Sequence, residues 1–270
     1  MRHSVGLVAW LLAALAMPMT ARAAARPDFA AAIARLAPHH AVYRLSFGGS
    51  PDASVLGGSG SMDFRVLDAC DAWATQQRLV LTILGNSGGT THVVSDYTTY
   101  EAKNGSRFRF RLRETTDGET TSNIAGEADI DDGRGVIRYT APVRKTLVLP
   151  RGTLFPMAHT AHILALAATG EKFLSLPLFD GSTDTGTEDT FVVVTGRSGP
   201  RATRFAALSA LPSTRVDIAF FDHDSTEAEP DYSSAMRYWS NGVADDLTMN
   251  FGDFVMDGAL SRLTIGRLGC

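Results

Sequence analysis

Along much of the chain, apolar and polar side chains alternate with a period of two. Tyr43, Leu45 and Phe47 alternate with Arg44 and Ser46, and Met62, Phe64 and Val66 alternate with Asp63 and Arg65. Trp73, Leu79, Leu81 and Ile83 share one parity of a longer run. A strand sends successive side chains to opposite faces, so this pattern predicts half-buried antiparallel strands. The clearest case is 107–113, where Arg107, Arg109, Arg111 and Arg113 alternate with Phe108, Phe110 and Leu112. A slip of one residue there would bury four guanidinium groups, so the register is strongly specified. The same pattern predicts strands over 136–139, 190–195, 216–220, 235–239, 247–251 and 260–265. Turn residues such as Asp131-Asp132-Gly133 and Asp180-Gly181-Ser182 separate them.

A helical period occurs twice. Pro27-Asp28 supplies a start, Phe29, Ile33 and Leu36 fall on one face, and Pro38 ends a short N-terminal helix. A second helix is predicted over 157–168, apolar along Ile163, Leu164 and Ala167, with Gly170 as its stop. So many strands with so little helix predict an all-β single domain. The sheet system is a barrel, a sandwich or a strongly bent sheet that curls on itself, and the pattern leaves these three open.

The N-terminus adds a compartment. Met1-Arg2-His3, an apolar run over 5–16 and Ala21-Arg22-Ala23 make a secretory signal over 1–23, which leaves a mature chain over 24–270. No Cys follows the apolar run, so a lipid anchor is not expected, and no later apolar run is long enough to cross a bilayer. The expected location is the periplasm of a Gram-negative bacterium. Two cysteines, Cys70 and Cys270, are then expected to pair, because an even thiol count in an oxidising compartment ends as disulfide. Without Arg2 and Arg22 the chain keeps 23 basic against 29 acidic residues, which argues against nucleic acid as a partner.

Candidate chemistry is thin. Gly85-Asn86-Ser87-Gly88-Gly89 matches a hydrolase nucleophile elbow, but it lies between two extended segments where the elbow needs a strand followed by a helix, and it reads as a turn. His159 and His162 are spaced for one helix face yet lack the glutamate of a metalloprotease motif, and read as hydrogen-bonding or packing residues. Asp129-Ile130-Asp131-Asp132-Gly133 has its glycine one position early for a calcium loop and reads as a turn. Trp73, Phe108, Phe110, Tyr238 and Trp239 read as core. The row Arg107, Arg109, Arg111, Arg113 is a solvated face neutralised by carboxylates such as Glu127 and Asp129, or a site for an anionic envelope component. No catalytic residue, metal site or cofactor is expected.

A set of short motifs recurs in order: His39-His40-Ala41-Val42-Tyr43, Cys70-Asp71-Ala72-Trp73-Ala74-Thr75-Gln76-Gln77, Leu149-Pro150-Arg151-Gly152-Thr153-Leu154-Phe155-Pro156 with His159-Thr160, Phe179-Asp180-Gly181, Asn241-Gly242-Val243, Gly252-Asp253-Phe254 and the terminal Cys270. Together they resemble the EipB-type cell-envelope-integrity family over essentially the whole mature chain. One position departs, with His40 where the family more often has Arg or Lys. The resemblance implies a periplasmic protein folded as a bent antiparallel β-sheet spiral with a packed helix. It also implies a Cys70–Cys270 disulfide and a role in envelope maintenance without known catalysis. The Leu149-to-Pro156 motif is expected to seat the interior helix on the sheet. The expected function is therefore a non-catalytic protein that binds or scaffolds an envelope component or a periplasmic protein. A periplasmic lipid carrier is the alternative, and a lipid or peptidoglycan hydrolase acting through Ser87 or a histidine stands behind it.

Overall fold

The alternating segments form fourteen strands, and all of them join one antiparallel sheet. The computed structural model describes residues 27–223 and 225–270, so the expected signal over 1–23 lies outside the described residues. Helix α1 (Phe29–Arg35) comes first, followed by β1 (His39–Gly49), β2 (Val55–Asp68), β3 (Ala72–Gly85), β4 (Thr90–Ala102), β5 (Arg107–Thr116), β6 (Glu119–Asp131), β7 (Arg134–Ala141) and β8 (Lys145–Leu149). Helix α2 (Pro156–Thr169) follows. The chain then adds β9 (Phe173–Leu178), β10 (Glu188–Ser198), β11 (Ser213–Asp222), β12 (Tyr232–Trp239), β13 (Ala244–Asn250) and β14 (Val255–Ile265).

The strand order runs β8 to β1 and then β14 to β9. Every neighbour is thus a neighbour in sequence except β1 and β14, which join the two meanders. The sheet edges, β8 and β9, flank α2 in the middle of the chain. They curl toward each other, and the segment before α2 links them: the Leu154 amide donates to the Pro177 carbonyl at 2.9 Å, and the Phe179 amide to the Leu154 carbonyl at 3.0 Å. Of the three sheet forms the period allows, the chain takes the curled one.

Local chemistry explains the two helices. Asp28 caps α1 by accepting from the Ala31 amide at 2.9 Å. Gly170 ends α2 with φ 98°, a left-handed conformation that glycine adopts without a Cβ clash. Apolar almost all round, α2 is the kind of helix that must be covered on several sides. Ala161 and Ala165 pack with Val66 of β2 and Trp73 of β3. Ile163 packs with Val192, Val216 and Ile218 of β10 and β11. His162 stacks on Phe29 of α1 at 3.8 Å. A third cluster, with Phe108, Phe110, Ile137 and Tyr139, receives Phe155 and Phe179 from either side of α2. The Leu149-to-Pro156 motif therefore seats the helix, as expected.

The arginine strand takes its specified register. Arg107 and Arg109 of β5 face outward opposite Asp129 and Glu127 of β6, and Phe108 and Phe110 are buried. The Asn86-Ser87 segment is the turn between β3 and β4, with Gly88 at φ 83° donating back to the Gly85 carbonyl at 3.0 Å. Asp132 and Gly133, at φ 46° and 69°, make the β6–β7 turn.

Cys70 and Cys270 are bonded, with Cα atoms 5.4 Å apart and 200 residues between them in sequence. The bond ties the chain end to the β2–β3 turn. Closing so long a loop stabilises the folded state by up to about 5 kcal/mol in the chain-entropy account. Cys70→Ser should lower the urea midpoint by an amount equivalent to a few kcal/mol, and wild-type protein in reductant should follow the variant; a variant as stable as the oxidised wild type would contradict this.

Candidate functional site

The inner face of the curled sheet is wider than its side chains fill. Between the two meanders and the first turn of α2 lies a cavity of about 240 Å³. Four methionines from four elements border it: Met62 of β2, Met157 of α2, Met236 of β12 and Met249 of β13. Tyr43 and Phe64 add aromatic wall, while Gln77, Thr160, Ser234 and Tyr238 add a few polar groups. Methionine is flexible and polarisable, so a wall rich in it adapts to apolar occupants of different shape. Tyr238 thus borders the cavity as well as packing against the core, a role its aromatic character alone did not indicate.

One end is shut by the segment after α1. Leu36 is fully buried and fits over Gly242, where an added Cβ would stand 2.7 Å from Leu36 Cδ2. The Ala37 amide donates to the Asn241 carbonyl at 2.9 Å, which fastens the plug to the β12–β13 turn. This explains why the Asn241-Gly242 motif needs its glycine.

The helix that forms the cavity wall is held by a remote carboxylate. Phe155 offers no side-chain cap, and Pro156 has no N–H. The next two amides, of Met157 and Ala158, both donate to Glu101 of β4 at 2.8 Å. The carboxylate meets the positive end of the helix dipole. Glu101 is only 2% exposed, and burial pushes its carboxyl up to about 7 against the downward pull of the two amides. Sequence reasoning missed this residue. The available clue was its position on the inward parity of β4, shared with Ser95, Tyr97 and Thr99.

The two helix histidines diverge. Thr190 Oγ1 donates to the Leu176 carbonyl at 2.9 Å, so the 3.0 Å contact between His159 Nε2 and Thr190 Oγ1 assigns the proton to Nε2. Burial pushes His159 down to about 4, which keeps it neutral, and burial also lowers His162, which stacks on Phe29. These are packing and hydrogen-bonding histidines.

A second polar group missed in the sequence lies beside Tyr97, whose hydroxyl donates to the Asp180 carbonyl. Burial raises the Asp180 carboxyl even though the Ser182 amide donates to it at 2.8 Å. Burial, followed by the charges of Asp180, Asp222 and Asp231, pushes Glu188 up to about 8. In the sequence Asp180 stands out only in a turn and in the Phe179-Asp180-Gly181 motif, neither of which indicates a buried carboxyl. Burial thus favours the protonated form of both carboxyls.

On the outer face, Arg107 Nε donates to Asp129 at 3.0 Å, Arg109 lies 3.9 Å from Glu127, and Arg113 donates to the Thr120 hydroxyl at 3.3 Å. The expected neutralisation thus reaches half of the row.

A family model described as EipB-like matches residues 30–267. The chain belongs to the EipB-like family. It is 31% identical over 243 residues to the cell envelope integrity protein EipB of Brucella abortus (strain 2308), an alignment spanning 87% of this chain and 86% of that protein. A crystal structure of a β-barrel-like protein from Brucella abortus superposes with a TM-score of 0.80 at 30% identity, covering 86% of this chain and 99% of the other. The fold is therefore shared over 86% of this chain.

The Glu101 contact yields a pH dependence. Unfolded, the carboxyl titrates near 4.5; folded, near 7, so the folded state holds the proton more tightly. The resulting stabilisation is complete below pH 4.5 and is lost as pH rises through 7, on the order of 3 kcal/mol in all. Asp180 and Glu188 act in the same direction, and the lowered histidines His39, His159 and His162 act against it. The difference between wild type and Glu101→Gln isolates the single group. The stability of wild type minus that of the variant, from urea unfolding between pH 4 and pH 8, should fall by about this amount as pH rises; a pH-independent difference would contradict the assignment.

Proposed function

We propose that this protein supports the cell envelope from the periplasm by binding, with its interior cavity holding an apolar chain of an envelope amphiphile. The observation that carries this reading is the methionine-rich cavity of about 240 Å³ enclosed by the two meanders and α2. A dry engineered cavity of about 150 Å³ already takes a benzene ring, so this one has room for a longer apolar segment. Its few polar groups suit a ligand that is oriented more by shape than by charge. Kinship with an envelope integrity protein supplies the setting. The same reading covers the carrier alternative, since holding and carrying an amphiphile use one cavity.

Catalysis is the weaker reading because Ser87 lies in an exposed turn and the helix histidines are spent on Thr190 and Phe29. Ser87→Ala should complement a deletion strain as well as wild type does; failure of a stably expressed variant would restore the hydrolase reading.

Native purification followed by lipid mass spectrometry should recover an amphiphile at stoichiometric levels. Ser234→Phe places a ring in the cavity and should weaken displacement of a fluorescent fatty acid about tenfold or more, while leaving the fold intact by circular dichroism. No copurifying amphiphile together with no displaceable probe would overturn the proposal.

A further inference from the structure

The outward face of β5–β8 is basic on an otherwise acidic chain. Asp129 is shared by Arg107 at 3.0 Å and Arg138 at 2.7 Å, and Glu127 meets Arg109 only at 3.9 Å. Arg111 and Arg144 make no ion pair among the described residues. Arg109, Arg111, Arg138 and Arg144 border one open concavity in which Glu127 is the sole carboxylate. Cations therefore outnumber the anions available to neutralise them.

Apolar side chains project from the same face. Val143 is 66% exposed and immediately precedes Arg144 in the β7–β8 turn. Val148 is 80% exposed on edge strand β8, in the cross-strand lane that runs through Val136 and Asp129 to Arg107. Tyr100, 37% exposed, stands opposite Arg109 on β4. Val143 thus adjoins Arg144, which has no ion pair among the described residues, and Val148 shares its lane with the Asp129–Arg107 pair, so apolar tips and guanidinium groups lie on one surface. A bilayer surface accepts all three kinds of group: phosphates take the arginines, the interface takes the tyrosine, and the acyl boundary takes the valine tips.

We propose that this face docks on an anionic phospholipid membrane. The docking surface is separate from the interior cavity and stands whether or not that cavity holds a ligand. Charge complementarity selects this occupant, because a membrane of anionic lipids presents many phosphates to a row of arginines and requires no shape match.

The test is sedimentation of the full mature chain with vesicles of phosphatidylglycerol and phosphatidylcholine, compared with phosphatidylcholine alone. Binding should appear only with the anionic lipid and weaken with salt. Arg111→Gln with Arg144→Gln should reduce partitioning about thirtyfold. Both side chains are exposed, so thermal unfolding should be unchanged. Arg215→Gln with Arg262→Gln, the same charge change on other strands, should leave binding as it was. Val143→Ser with Val148→Ser should weaken binding without altering its salt dependence. Failure to bind anionic vesicles, equal binding to neutral vesicles, equal loss in the two arginine pairs, or full displacement by inorganic phosphate at an ionic strength where sodium chloride leaves binding intact would overturn the proposal; the last would reveal a site for a free anion.

Discussion

Where α2 sits depends on a carboxylate more than fifty residues away in sequence. The helix begins with Phe155 and Pro156, a start that presents no local acceptor and leaves two amides facing the protein interior. Buried donors without partners are expensive. Glu101 satisfies both, so the first turn of α2 has one low-energy position against β4. From that position follow the packing of Ala161 on Trp73, the packing of Ile163 on β10 and β11, and the placement of Met157 on the cavity wall. Hydrophobic burial drives the helix into the curl. The carboxylate decides how it is oriented there.

The interior is accordingly divided by chemistry. Around Phe108, Phe110, Phe155 and Phe179 the curl is packed by stacked and edge-on rings. Between β2 and β12 it is lined by flexible methionines and remains open. Rigid aromatic packing holds the seam between β8 and β9, so looseness is confined to the wall where an occupant would lie. A flexible lining in a stiff frame allows the cavity to vary its contents without unfolding.

Legibility in the sequence followed locality. Strands with strict alternation, such as β1, β2 and β5, were readable because each residue reports its own face. Strands β8 and β9 were harder to read: both are short edges, and Pro177 interrupts the second. The α2 stop was readable at Gly170, while its N-terminal anchor was not, since nothing near Phe155 points to β4. Glu101 went unread because, although it lies on the inward parity of β4, nothing near it in sequence names the helix start it serves. The cavity left less trace, because its methionines come from four separate elements and look like ordinary core in each. The terminal cysteine was the exception among long-range features, as thiol count and compartment were enough to pair it.

The order of strands has a consequence for how the molecule comes into being. Each meander can form from neighbours in sequence, but the seam between β1 and β14 joins the first and the fourteenth strands of the sheet. A growing chain thus carries β1 with one edge unpaired until β14 is available. The disulfide beside this region joins Cys70, after β2, to Cys270, after β14. Closure of the seam therefore waits for β14, and a chain lacking that strand would leave β1 with an unpaired edge within the sheet, open to pairing with a neighbouring molecule.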